Sequence, residues 1–156
     1  MRVSLVALPL ALAAIGCSSS EFRVSDGARE KAQALLRTIE TDVAASCSAG
    51  PEGRNFDASI KKARGELAEL RGVAKSKGDR AVMLLVASVL MRDRERCTLI
   101  GMGAETGHES VAQLEGERGA CMVELKPWLE GQGREDLLRA SCLAMAEQAA
   151  QTLLLK

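Results

Sequence analysis

The sequence predicts an all-α fold: an up-down bundle of four to five helices, held by two disulfides. Three observations carry that expectation. Apolar residues recur at helical spacing through most of the chain. Leu, Ala and Met supply much of the apolar content, whereas the aromatic residues that sheets favour amount to two Phe, one Trp and no Tyr. Four cysteines, Cys47, Cys97, Cys121 and Cys142, fall at or near predicted helices with no metal or redox spacing. At 156 residues the length suits one domain. A hydrophobic share of 47% excludes intrinsic disorder, and zero formal net charge with so few aromatics argues against a nucleic-acid surface.

Arg2 is the only charge before Glu21, and Val3 to Ile15 is an apolar run broken by Ser4 and Pro9. It is shorter than the ~20 residues a bilayer span needs. A positive start, a short apolar core and small residues after it read as a secretory signal over residues 1–16. The run ends in Ala14-Ile15-Gly16-Cys17, which resembles the lipobox of bacterial lipoproteins, with Ala at the position where Leu is commonest. The resemblance covers the signal and that cysteine. It implies cleavage between Gly16 and Cys17, a diacylated Cys17 thiol, and acylation (palmitate among the chains) of the new N-terminus. Two or more acyl chains anchor stably where one holds only marginally. Ser18, not Asp, follows Cys17, which in the enterobacterial sorting scheme implies the outer membrane over the inner. Ordinary cleavage at a similar place would instead leave a soluble exported protein.

Residues 17–25 are then expected to be a lipidated tether and 26–156 a single helical domain. Ser25 or Asp26 can cap the first helix, whose apolar positions run Ala28, Ala32, Leu35, Ile39, Val43, Cys47. Gly50-Pro51-Glu52-Gly53 breaks the chain. Phe56, Ile60, Ala63, Leu67, Leu70 and Ala74 form the seam of a second helix, with Gly78 as its stop. Asp79 can cap a third, in which Ala81 to Met91 is apolar all round, as a central helix or a buried strand would be. Arg92-Asp93-Arg94-Glu95-Arg96 is expected to bring it back to solvent. Leu99 to Gly107 reads as a flexible connection. It does not complete G-x-G-x-x-G, whereas Thr106 to Glu109 fits a capping box. A fourth helix over 107–126 carries Val111, Leu114, Cys121, Met122 and Leu125. Gly116 and Gly119 weaken it or admit a close neighbour. After a break at Pro127–Gly133, a last helix over 134–155 holds Leu138, Cys142, Met145, Ala149 and Leu153.

In an exported chain an even set of cysteines reads as disulfides, and four allow three connectivities. Helical geometry selects one. In an antiparallel hairpin of the last two helices, Cys121 and Cys142 are nearly equidistant from the turn. Cys47 and Cys97 each end a helix, and the first and third helices of an up-down bundle end at the same pole. The expected pairs are Cys47–Cys97 and Cys121–Cys142, worth about 4 and 3 kcal/mol by loop entropy. No C-x-x-C exists and His108 is the sole His, so neither metal nor haem is expected at these thiols.

Catalytic constellations are weak. His108 and Ser110 sit close in sequence but form no triad, and no G-x-S-x-G elbow exists. Glu115/Glu117 and Glu135/Asp136 are too close in sequence to converge on one helix face. Met83, Met91, Met122 and Met145 read as core filler. Trp128 is either a cover for the bundle end or an exposed interface anchor. Residues 54–96 carry 11 basic and 6 acidic residues, and 97–156 carry 5 and 9. The basic second helix, with Lys61, Lys62, Arg64, Arg71 and Lys75, can be a solvated face or can meet anionic headgroups or an acidic partner. The functional expectation is a lipid-anchored bacterial envelope protein, non-enzymatic and without cofactor or metal. It would hold the membrane through Cys17 and engage an envelope protein as a binding or scaffold module. The alternative is a periplasmic module binding a small ligand or lipid, with a cavity among Leu84, Leu85, Met122 and Met145.

Overall fold

A Ser hydroxyl starts the first helix. Ser25 is extended (φ −67°, ψ 151°) and its Oγ accepts from the Ala28 amide, so α1 (Asp26–Thr38) begins with one of its orphan donors satisfied. The computed structural model of the chain describes residues 20–48, 54–101, 108–139, 142, 146 and 150–154. Ala28, Ala32, Leu35 and Leu36 are the buried face of α1. The rod then widens into a π-helical turn, Ile39–Val43, before resuming as α2 (Ala44–Ser48). Leu35, Ile39, Val43 and Cys47 step by four, and in a 3.6-residue helix each such step drifts about 40° off the stripe. The wider π turn absorbs that drift, so Ile39, Val43 and Cys47 all stay buried.

The second rod, α3 (Arg54–Val73), buries Ile60, Ala63, Leu67 and Leu70 as its seam foretold. It ends at Val73, before Gly78, which lies inside the next helix, α4 (Lys77–Gly101). Asp79 is correspondingly the third residue of α4 and Ser76 is the cap. Ser76 Oγ accepts from the Asp79 amide at 2.9 Å while Asp79 Oδ2 accepts from the Ser76 amide at 3.2 Å, a reciprocal capping box. The same carboxylate takes the Lys75 amide at 3.0 Å and, across the bundle, the Ser25 amide at 2.7 Å. Burial opposes ionisation of Asp79, but these backbone donors outweigh it and hold the carboxyl below its ordinary value. The stability it confers is therefore complete above the unfolded-state value near pH 4 and is lost as pH falls through the lower folded value. We expect Asp79→Ala to cost about 2 kcal/mol in urea melts at pH 7. The gap to the wild type should narrow as the buffer falls below about pH 4; a gap independent of pH would refute the ionised-cap assignment.

Helix α4 is the centre of the molecule. Ala81, Val82 and the whole stretch 85–93 are buried, and no strand occurs among the described residues, so the helical reading of 81–91 holds. The helix continues to Gly101, taking in Leu99 to Gly101, which had been expected to be connection; 102–107 fall outside the described residues, Thr106 of the expected capping box with them. The next helix, α5 (His108–Leu129), does not break at Pro127. Pro127 costs the helix one amide donor, tolerable in its last turn. The stop comes at Gly131, whose φ of +77° suits a residue without Cβ. Its amide donates to the Trp128 carbonyl and that of Gln132 to the Pro127 carbonyl, a Schellman motif. A Cβ on Gly116 or Gly119 would meet nothing, so these glycines do not admit a close neighbour.

Side-chain ladders fix the directions. Lys31–Glu69, Thr38–Glu66, Asp42–Lys62 and Ser46–Ser59 run antiparallel between the first rod and α3. Ser25 meets Asp79 near the start of α4, and Cys97 Sγ lies 3.9 Å from the Val43 carbonyl near its end, so the first rod runs parallel to α4. Parallel helices whose ends share a pole bring Cys47 to Cys97, and their disulfide spans 4.9 Å between Cα atoms. Cys121 of α5 is bonded to Cys142 of the C-terminal helical segment at 5.5 Å. Both expected pairings are present.

Candidate functional site

Cys17, the expected lipid site, lies outside the described residues, and the structure begins three residues later. Ser20–Phe22 form a 3-10 turn. Glu21 pairs with Lys77 at 2.9 Å, and the Lys77 ammonium stands 5.2 Å from the centroid of the Phe22 ring. Val24 is buried, and the Arg23 carbonyl accepts from Ser76 Oγ at 2.7 Å. A Cβ on Gly78 would overlap the Phe22 carbonyl, so the glycine lets this segment lie directly on the first turn of α4. Residues 20–25, part of the expected tether over 17–25, are thus fastened to the bundle.

The largest correction concerns Arg92 to Arg96. Arg92 is 6% and Asp93 0% exposed, so this charged run does not return α4 to solvent at that point. It meets α5 instead. Arg118 Nε donates to Asp93 Oδ2 at 2.9 Å, and Arg96 Nε lies 3.6 Å from Oδ1, an ion-pair distance rather than a hydrogen bond. Arg92 Nε pairs with Glu117 Oε2 at 2.8 Å, and Arg96 Nη1 with Glu115 Oε1 at 3.3 Å. Three guanidiniums and three carboxylates neutralise one another across the α4–α5 seam. Glu115 and Glu117 therefore do not converge as an acid–base pair; each holds a separate arginine. The signal was in the sequence: Asp93 follows Leu85 and Val89 at steps of four, which places it on the buried stripe.

Trp128 is fully buried, which makes it a cover for the bundle end and not an exposed anchor. Leu85 is also fully buried, Leu84 partly, and Met122 lines an open groove of about 480 Å³ with Gln33 and Leu129. Met145 lies outside the described residues, and nothing is described of the His108 side chain. Asp136, in the first turn of the 3-10 helix Glu135–Arg139, pairs with Arg134 just ahead of it at 2.9 Å. The expected basic face of the second helix is divided: Lys62 pairs with Asp42 at 2.6 Å, Arg64 donates to the Leu153 carbonyl, and Lys61 and Arg71 are exposed. A cleft of about 740 Å³ includes Met91, Arg94, Thr98 and Leu114, and another of about 680 Å³ shares Arg94 and Thr98 and reaches Phe56 and Lys61.

All four cysteines of the domain are consumed in disulfides and present no thiolate to a metal or substrate. Among the described residues no group of three His, Cys, Asp or Glu gathers at metal-binding distance, and no helix is long and apolar enough to cross a membrane. No protein-family model, no curated protein and no solved structure matches the chain.

Proposed function

We propose that the chain is a lipid-anchored protein of the bacterial envelope, held by Cys17, with a non-enzymatic binding or scaffold role toward an envelope partner. The observation that carries this reading is the lipobox cysteine placed three residues ahead of a segment fastened to the bundle. An anchor there would hold the domain itself close to the membrane. The two disulfides support export, because such bonds persist in oxidising compartments. The outer membrane is the favoured destination, on Ser18. The polar groups of the largest seam are spent on one another, which supports a rigid presenting module over a reaction centre. The small-ligand reading draws on the clefts that meet at Arg94, but Arg92 at the same wall is committed to Glu117.

The test is metabolic labelling with palmitate followed by mass spectrometry of the N-terminal peptide. The wild type should carry label and a peptide beginning at acylated Cys17, and Cys17→Ser should carry neither. Label retained by the variant, or a wild-type peptide of unmodified mass, would reject the anchor.

A further inference from the structure

We propose that the pole where α1 and α4 begin rests on the membrane, and that Arg23, Arg71, Lys75, Lys77 and Arg80 there bind the phosphates of anionic phospholipid headgroups. The inference rests on the Cys17 anchor and specifies how the domain is oriented beneath it. The first argument is reach. Three residues of fully extended chain span about 10 Å, so Ser20 cannot stand far from an acylated Cys17. The second is attachment. Val24 in the core, the Ser76–Arg23 and Asp79–Ser25 hydrogen bonds and the Glu21–Lys77 pair fix residues 20–25 to α4. Only the short stretch from Cys17 to Ser20 separates the anchor from this pole, so the pole that holds these residues faces the bilayer.

The third argument is charge. All five basic residues are exposed, at the exit of the tether, the last turn of α3, the connection and the first turn of α4. Among the described residues Arg23, Arg71, Lys75 and Arg80 form no ion pair, and Lys77 is paired with Glu21 alone. The acids of the same pole are spent: Asp79 is buried on backbone amides, Asp26 pairs with Arg29, Glu130 with Lys126 and Asp136 with Arg134. Glu69, level with Arg71, is held by Lys31, and among the described residues Glu30 and Glu135 are the acids here that form no ion pair. Each basic side chain near an anionic surface raises membrane affinity about fivefold, within a Debye length of about 8 Å.

The experiment uses the full protein purified from its own membranes, with the mass of its N-terminal peptide measured first. It is mixed with vesicles of phosphatidylcholine alone or with about a third phosphatidylglycerol, and a water-soluble amine reagent reports each lysine. We expect labelling of Lys75 to slow about fivefold relative to Lys61 on the anionic vesicles, to recover in high salt, and not to slow on the neutral ones. Arg71→Glu/Arg80→Glu, at two exposed positions, should abolish that protection while circular dichroism stays unchanged; should the variant misfold, the wild-type comparison of vesicles still decides. Equal labelling of Lys75 on both vesicle types, or protection of Lys61 and Lys62 instead, would overturn the proposal. An unacylated N-terminal peptide would reject the anchor separately, and excess vesicles would then still read the headgroup contact.

Discussion

Asp93→Ala is expected to lower stability by about 3 kcal/mol and the melting temperature by roughly 10 °C. The carboxylate is fully buried and faces Arg118 at 2.9 Å and Arg96 at 3.6 Å. Removing it leaves two guanidiniums at a seam built to be neutral, and uncompensated buried charge is what makes such deletions costly. Both arginines keep a fifth to a quarter of their side-chain surface exposed, which places the loss at the low end of the 3–5 kcal/mol such deletions cost. Arg118→Ala should cost less, because Arg96 still faces Asp93, and the double variant should cost less than the sum of the two. Urea melts of the four species give the coupling. Additive losses would show that water already screens the cluster, and an Asp93→Ala loss under 1 kcal/mol would mean the same.

The helices were legible because their periodicity and breakers are local. Ala28 to Cys47 and Ile60 to Leu70 mark buried stripes, and the first rod and α4 carry their cysteines to a common pole. What was missed depends on partners in space. Arg92 and Asp93 look like solvent residues until α5 supplies Glu117 and Arg118. Asp79 looks like a cap until its carboxylate is seen also to hold Ser25 of another rod. Pro127 looks like a break because composition does not say whether a lost amide lies in a helix's last turn. The π turn at Ile39–Val43 was not legible, because four-residue steps from Leu35 to Cys47 are also ordinary α-helical spacing. Function was less legible than fold, since Cys17 lies in an address that precedes the domain and the faces that would meet a partner carry no motif.

Removing the disulfides separates the two halves of that architecture. Cys47→Ala/Cys97→Ala should cost about 4 kcal/mol and Cys121→Ala/Cys142→Ala about 3, because the closed segments are 50 and 21 residues long and the longer loop restrains the unfolded chain more. If the effect acts on the unfolded state, the urea slope should rise with the loss, since an unbridged chain exposes more surface. An unchanged slope with the same loss would place the effect in native packing instead. The second pair has a local consequence the first lacks. Cys142 joins the C-terminal segment to α5, and its carbonyl accepts from Ser88 of α4 at 3.3 Å. Without the bridge, amide exchange should accelerate first over 150–154 while α4 stays protected. Loss of the first pair should instead lower protection across α4 and the first rod together, because Cys47–Cys97 closes the pole where both end. A reversed order of stability losses would show that native contacts around Cys142, and not loop length, set what each bridge contributes.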